Sequence, residues 1–463
     1  MALVLKGVAA SCAVIVVSYA QSFTSLLSFI GPNGSRPNSV SLAQGIDGNL
    51  YGTTQLGGAD GLGTVFLISP AGVLTTIHSF SGPDGANPFS GLVLGTDGNF
   101  YGTTANGGAY NKGTVYKITS SGTLTTLYSF CAQNGCADGA TPYGGLEQFA
   151  GAFYGTAMYG GTSANCPPDG CGAVFKITSG GVLTILHSFA GAPADGMAPY
   201  AAPIQATNGN FYGTTSLGGA NNSGTVYEIT SAGVLTILHS FNAADGFNLT
   251  AGLFLGTDGA LYGTAAGGGQ YGEGTVFKIV PSGKFRTLYS FCLQNACGDG
   301  AVPLGGVIQA TDGSFYGTTY QGGTSDGTIY RITSSGALAS LHSFHVTDGL
   351  RPMCLAQATN GLIYGLTQYG GSATDGTVFT LSRGLSAFVE TVPVSGRVGI
   401  KVMILGTDLT GATSVTFNGV AAKFSVVSAT EITTTVPAGA TTGQVQVVTP
   451  AGTLSGNIVF RVR

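Results

Sequence analysis

Histidine and aspartate together can move protons or hold metal ions, and this chain places both at recurring spacings. Four of its five histidines, His78, His187, His239 and His342, would form a reactive cluster if the fold gathered them. Each, however, stands at the same place in a recurring "LxxLHSF" segment, where other copies carry Tyr128, Tyr289 and Leu27. A place that accepts leucine is a packing or edge position, and a repeat holds its copies apart. His345 stands alone in a loop.

The fifteen aspartates sort in the same way. Asp47, Asp97, Asp258 and Asp312 fall in tight "DG" turns, a local role. Asp84, Asp138, Asp195, Asp245, Asp299 and Asp348 each precede glycine in "DGxxP"-like loops, and their repetition favours a structural turn. Calcium is the alternative reading, although no dense run of carboxylates at calcium-loop spacing supports it; no other cofactor is implied. Asp169, Glu273, Asp326 and Asp375 are the acids an enzyme reading would use. Glycosidases need two carboxylates about 5–10 Å apart, and the chain has only five glutamates. With no Ser-His-Asp signature, HExxH or nucleophile elbow, no catalytic residue is assigned.

Three cysteine pairs, Cys131/Cys136, Cys166/Cys171 and Cys292/Cys297, share one C-x4-C spacing inside Gly/Asp/Asn loops. They read as local disulfides that stiffen loops, since zinc sites favour C-x2-C with further ligands nearby. Cys12 and Cys354 are left over.

The elements that hold these residues come from a repeat. "DGNFYGTTANGG", residues 97–108, could cradle a phosphate. Its Tyr-Gly recurs at Tyr51, Tyr101, Tyr154, Tyr212, Tyr262, Tyr316 and Tyr364, and a phosphate loop would be needed once. A second marker, "GTVF" or a variant, also occurs seven times, but "LxxLHSF" occurs only six times inside the array. Each unit reads as four short strands rich in Val, Thr, Ile, Tyr and Phe, joined by glycine turns, which is the pattern of a propeller blade. The missing seventh fourth strand stands at the other end as "FTSLLSF", residues 23–29. The expected fold is therefore all-β: a seven-bladed β-propeller over 21–383, closed by an N-terminal strand that completes the blade of 354–382. Residues 386–463 break the pattern with about seven short strands, those of a small immunoglobulin-like β-sandwich.

Residues 1–20 read as a secretory signal peptide, with Lys6 before an apolar stretch and "SYA" before cleavage after Ala20. No later segment is apolar and long enough to span a bilayer. Charged residues are 8% of the chain and net charge is −4, so nucleic acid is excluded as a partner. Secretion or residence in the cell envelope is the expected localisation.

The repeat, "DGNxYGTTxxGG…GTVFKITxxGxLTxLHSF", resembles the GloVer (choice-of-anchor) tandem repeats of secreted bacterial proteins over about residues 23–382. That resemblance implies an extracellular propeller and brings no activity with it. The "DGNFYGT" turn is also similar to turns in streptogramin-lyase-like and sensor-kinase propellers, without a lyase constellation that maps here. "ILGTDL", "SVTFNGV" and "TEITTTVPAGATTGQVQVVTPAG" resemble the IPT/TIG immunoglobulin-like domain, usually a spacer or binding module.

In a four-stranded meander, the turns joining strands one–two and three–four share a face, and the remaining loops share the other. That second face carries the length variation, the cysteine pairs and the tyrosines the repeat does not explain: Tyr110, Tyr143, Tyr159, Tyr200, Tyr271, Tyr320 and Tyr369. Variable loops on a rigid scaffold are where binding resides, and tyrosine gives amphipathic contact at low entropic cost. The expected function is recognition of a glycan or an extracellular protein through this face. The alternatives are a cell-envelope structural protein, or a polysaccharide lyase or hydrolase.

Overall fold

The computed structural model describes residues 21–38, 42–166, 168–324 and 326–463; the signal peptide expected over 1–20, with Cys12, lies outside the described residues. Each repeat forms an antiparallel four-stranded sheet. The second comprises Val93–Leu94, Phe100–Thr104, Thr114–Ile118 and Leu124–Ser129, hydrogen-bonded in that order. Seven such sheets occur along the described part of the repeat. In each, the second strand is wholly or almost wholly buried, while most fourth strands mix exposed and half-buried residues. The inner strands are thus covered on both faces by neighbouring sheets, and the fourth looks outward.

The Tyr-Gly-Thr-Thr motif is explained by what each residue touches. A Cβ on Gly102 would lie 2.6 Å from the Tyr116 hydroxyl, and one on Gly52 would lie 2.6 Å from the Phe66 ring. Glycine is required because the aromatic ring of the third strand lies across it. The second threonine ties its strand to the third, as in Thr54–Thr64 and Thr104–Thr114, both 2.8 Å. The first reaches into the next sheet, where Thr53 donates to the Ser90 carbonyl and Thr103 to that of Gly144, at 2.7 and 2.8 Å. The glycine-rich stretch is architecture.

These inter-sheet bonds also account for one difference from the sequence reading. Four short strands per unit are expected, but of "SGLVLGT", residues 90–96, only Val93–Leu94 pair in the ladder. Upstream, the carbonyl of Ser90 is engaged by the previous sheet instead.

A second clasp precedes it. Asn87, Thr141 and Val302 adopt φ of 54°, 53° and 56°. Left-handed backbone is unfavourable for the β-branched pair. Their N–H groups donate to carbonyls of the preceding sheet's loop, at Leu62, Lys112 and Glu273, over 2.7–2.8 Å. Repeated inter-sheet bonding holds the conformation.

The chain closes as expected. Ser22–Ser28 pairs antiparallel with Thr377–Ser382, in a sheet completed by Ile363–Tyr369 and Leu350–Gln357. Both ends of the array are therefore joined in one sheet: Ser22–Ser28 is its outer strand and covers Thr377–Ser382, which would otherwise be an open edge.

The C-terminal segment forms two four-stranded sheets around Val402, Ile404, Val415, Phe417, Ile432, Val447 and Phe460. It seats on the first hairpin turns of the repeat: Thr430 donates to the Ile46 carbonyl at 2.7 Å and Phe388 N–H to that of Thr359 at 2.9 Å. Val392 and Leu405 join the apolar cluster of Tyr51, Leu92 and Leu94. The tight-turn face is covered by this sandwich around the axis.

Candidate ligand-binding face

The cysteines pair as their spacing suggests, in Cys131–Cys136, Cys166–Cys171 and Cys292–Cys297. Cys354 is free and buried, and burial pushes its thiol up to about 12, which keeps it protonated and unreactive at neutral pH.

The histidines are fixed by the loop aspartates. Nε2 of His78, His187, His239 and His342 lies 2.8–2.9 Å from Oδ2 of Asp84, Asp195, Asp245 and Asp348. Tyr128 and Tyr289 donate to Asp138 and Asp299 in the same manner, at 2.7 and 2.8 Å. The other oxygen of each carboxylate caps its own loop, as Asp84 Oδ1 accepts from Ser81 N–H at 2.9 Å. Burial draws the Asp84 carboxyl up, but these bonds from Ser81 and His78 outweigh it and leave it below the usual range. Burial lowers His342, against the pull of Asp348. Asp97 and Asp258 accept from Tyr101 and Tyr262, at 2.8 and 2.7 Å. Repeated acids and bases are consumed by repeated structure. Among the described residues, no group of three or more His, Cys, Asp or Glu side chains could hold a metal ion.

At the open end of the axis, the loops converge on a cavity of about 190 Å³. Its wall takes one residue from every sheet, the position that follows the proline in "RPN", "NPF", "TPY", "APY", "VPL" and "RPM": Asn38, Phe89, Tyr143, Tyr200, Thr250, Leu304 and Met353. In the fifth sheet Leu249 replaces the proline. Equivalent backbone positions thus carry unlike side chains. Phe89, Tyr143 and Tyr200 form a continuous aromatic wall, with ring centroids 4.3 Å apart edge-on and 5.4 Å apart stacked. Tyr320 and Gln368 also line the cavity, and the Tyr320 hydroxyl donates to Gln368 Oε1 at 3.0 Å. Arg351 donates to Tyr320 at 2.9 Å and lies 5.1 Å over the Tyr369 ring, which Arg36 also covers at 5.2 Å.

Burial pushes the Tyr200 hydroxyl up to about 12, with Tyr143 and Tyr159 adding to it, and raises Tyr143 likewise. These phenols are neutral and available as both donors and acceptors.

The seven tyrosines therefore do not form one surface. Tyr143, Tyr200 and Tyr320 line the cavity, Tyr159 adjoins the first two, and Tyr369 is joined to it through Arg351. Tyr110 and Tyr271 are exposed and lie instead beside Tyr128 and Tyr289, on the outer fourth strands. Sequence reasoning passed over Phe89, Leu304, Met353, Asn38, Thr250 and Gln368. Aligning the units by position, rather than collecting one residue type, would have exposed the ring. None of Asp169, Glu273, Asp326 or Asp375 lines the cavity; Asp375 accepts from Ser35 Oγ at 2.6 Å.

Sheets of this order, closed by the N-terminal strand and followed by an immunoglobulin-like sandwich, define an all-β propeller protein. The chain belongs to the Gloeobacter/Verrucomicrobia repeat family, which matches residues 7–167 and 164–379, and carries an IPT/TIG domain over 387–462. Among solved structures it is similar to streptogramin B lyase, at 15% identity and a TM-score of 0.54, over 78% of this chain and 97% of that one. A catalytically inactive virginiamycin B lyase from Staphylococcus aureus with quinupristin gives 18% identity and a TM-score of 0.54, over 78% and 99%. At these identities the likeness is one of fold. No curated protein matches the chain.

Proposed function

We propose that the protein is a secreted or cell-envelope binding propeller that recognises a glycan or an extracellular protein at the axial ring of its loop face. The observation that carries this reading is the divergence of one repeat position into Asn38, Phe89, Tyr143, Tyr200, Thr250, Leu304 and Met353. The Tyr-Gly-Thr and "GTVF" segments largely keep their residues because each serves the scaffold; the residues at this position face a cavity. An aromatic wall opposite hydroxyl and amide groups suits an amphipathic ring or side chain, held by stacking and a few hydrogen bonds. A cavity of about 190 Å³ admits one such group, the tip of a larger ligand.

The three disulfides support an oxidising compartment, and among the described residues no helix is long and apolar enough to cross a membrane. The division into a leader over 1–20, a propeller over 21–383 and a sandwich over 386–463 belongs to the same reading. The cavity wall offers neither carboxylate nor histidine, so binding is favoured over hydrolysis or elimination.

The test is a glycan and cell-wall binding screen of the mature chain. Saturable binding without turnover, weakened about tenfold or more by Tyr200→Ala, is expected. Binding that is indifferent to Tyr143→Ala, Tyr200→Ala and Tyr320→Ala together would place recognition elsewhere.

A further inference from the structure

At the other end of the axis, between the repeat and the C-terminal sandwich, lies a cavity of about 530 Å³. Its walls are largely apolar, with Leu92, Ile204, Leu253, Leu255 and Leu405 among them. Set into that surface are acceptors without donors. Glu390 and Asn457 both line it and are neighbours, because the residues before them, Val389 and Gly456, form a parallel bridge. Asn457 Oδ1 is buried and has no hydrogen-bond partner. Burial pushes the Glu390 carboxyl up, and no neighbouring charge offsets it. Glu147 lines the same cavity and is opposed by the charge of Arg461, whose guanidinium donates to the Gln205 carbonyl at 2.6 Å. The cavity thus holds two carboxylates and one guanidinium, and Glu390 is the one left over.

An unpaired buried acceptor is costly, and a buried unpaired carboxylate more so. Both are satisfied at once by a positively charged donor. We propose that this cavity binds a small amphiphile, an alkyl chain ending in a primary ammonium, with the ammonium on Glu390 and Asn457 and the chain along the leucine and isoleucine walls. An ammonium supplies three donors and no acceptor, which is the complement of this pair. An anionic head would add a third negative charge. The volume lies within the range of small-molecule sites. This site is separate from the axial ring, and neither reading depends on the other.

The experiment measures binding of hexylammonium, hexanol and hexanoate to the full chain by calorimetry and by thermal shift at neutral pH. Hexylammonium is expected to bind about tenfold or more tightly than hexanol, and hexanoate more weakly than either. Glu390→Gln is expected to reduce hexylammonium to the level of hexanol while the protein stays folded, since that change removes a half-buried charge without altering side-chain size. Asn457→Leu, which leaves the carboxylate in place, is expected to weaken it by a smaller factor. Tyr200→Ala, at the opposite end of the axis, is expected to leave it unchanged. Equal affinity for hexylammonium and hexanol, no binding of any probe, full affinity in both Glu390→Gln and Asn457→Leu, or loss in Tyr200→Ala would each overturn the proposal.

Discussion

The phenol of Tyr128 donates to Oδ2 of Asp138 at 2.7 Å, in the place where His239 meets Asp245 at 2.8 Å. One carboxylate position thus serves two different donors. The remaining sheet confirms the rule from the other side: Leu27 offers no donor, and Asn33 replaces the aspartate while still capping its loop through Ile30 N–H.

Histidine, tyrosine and the leucine–asparagine pair are therefore interchangeable solutions. His239→Tyr is expected to change stability by less than about 0.5 kcal/mol. His239→Leu, which leaves Asp245 Oδ2 with the longer 3.3 Å bond from Asn242 Nδ2 alone, is expected to cost about 1–2 kcal/mol. Adding Asp245→Asn to His239→Leu should recover most of that loss. A double-mutant cycle in urea reads the coupling directly; additive effects would contradict it.

The motif glycine makes an equally local prediction. In Gly102→Ala the new methyl would meet the Tyr116 hydroxyl and ring at 2.6 and 2.7 Å and Leu92 at 2.9 Å. A loss of about 1–3 kcal/mol is expected from this overpacking. Gly180→Ala is the control, since its nearest neighbour is Thr178 Oγ1 at 3.8 Å, and it should stay within about 0.5 kcal/mol. Thermal unfolding of both variants is the measurement.

Glu147 gives the protein a pH dependence. Burial pushes its carboxyl from 4.5 up to about 7, against the opposing charge of Arg461. A folded-state value above the unfolded one means that the folded protein holds the proton more tightly. The associated stability is fully present below about pH 4.5 and is lost as pH rises through about 7. The midpoint of unfolding should therefore fall between pH 5 and 8, and Glu147→Gln should flatten that part of the profile. A profile unchanged by the substitution would mean that Glu147 does not titrate there.

The disulfides close loops with a sequence separation of only 5 residues. Short loops give the least entropic stabilisation, about 2 kcal/mol each in the chain-entropy model. Cys131→Ser with Cys136→Ser is expected to leave a folded protein with modestly lowered Tm and a locally more mobile loop. Hydrogen exchange confined to residues 131–139 would show it; global unfolding would contradict it.

The repeating scaffold could be read from the chain one unit at a time. The four strands and their turns are local to each unit, and the closing sheet follows from the count of strand copies, because each unit must bury the same faces against like neighbours. "FTSLLSF" could be assigned to the sheet of Thr377–Ser382 from its resemblance to "LTTLHSF" alone, and Ser22–Ser28 pairs there. The pairing of His or Tyr with Asp goes beyond the packing or edge position read for those histidines and came from the structure; the joint change of Leu27 and Asn33 is its trace in the sequence. Which residues meet at the axis, in contrast, depends on how the closed array folds in three dimensions. Tyr143 and Tyr200 stack although 57 positions separate them, and Tyr110 does not join them although it is also a loop tyrosine. Closing the array directs one position of each sheet inward and turns the fourth strands outward. Residue type says nothing of that radius. The same holds for Glu390 and Asn457, which face a cavity only because the sandwich is seated over the end of the repeat.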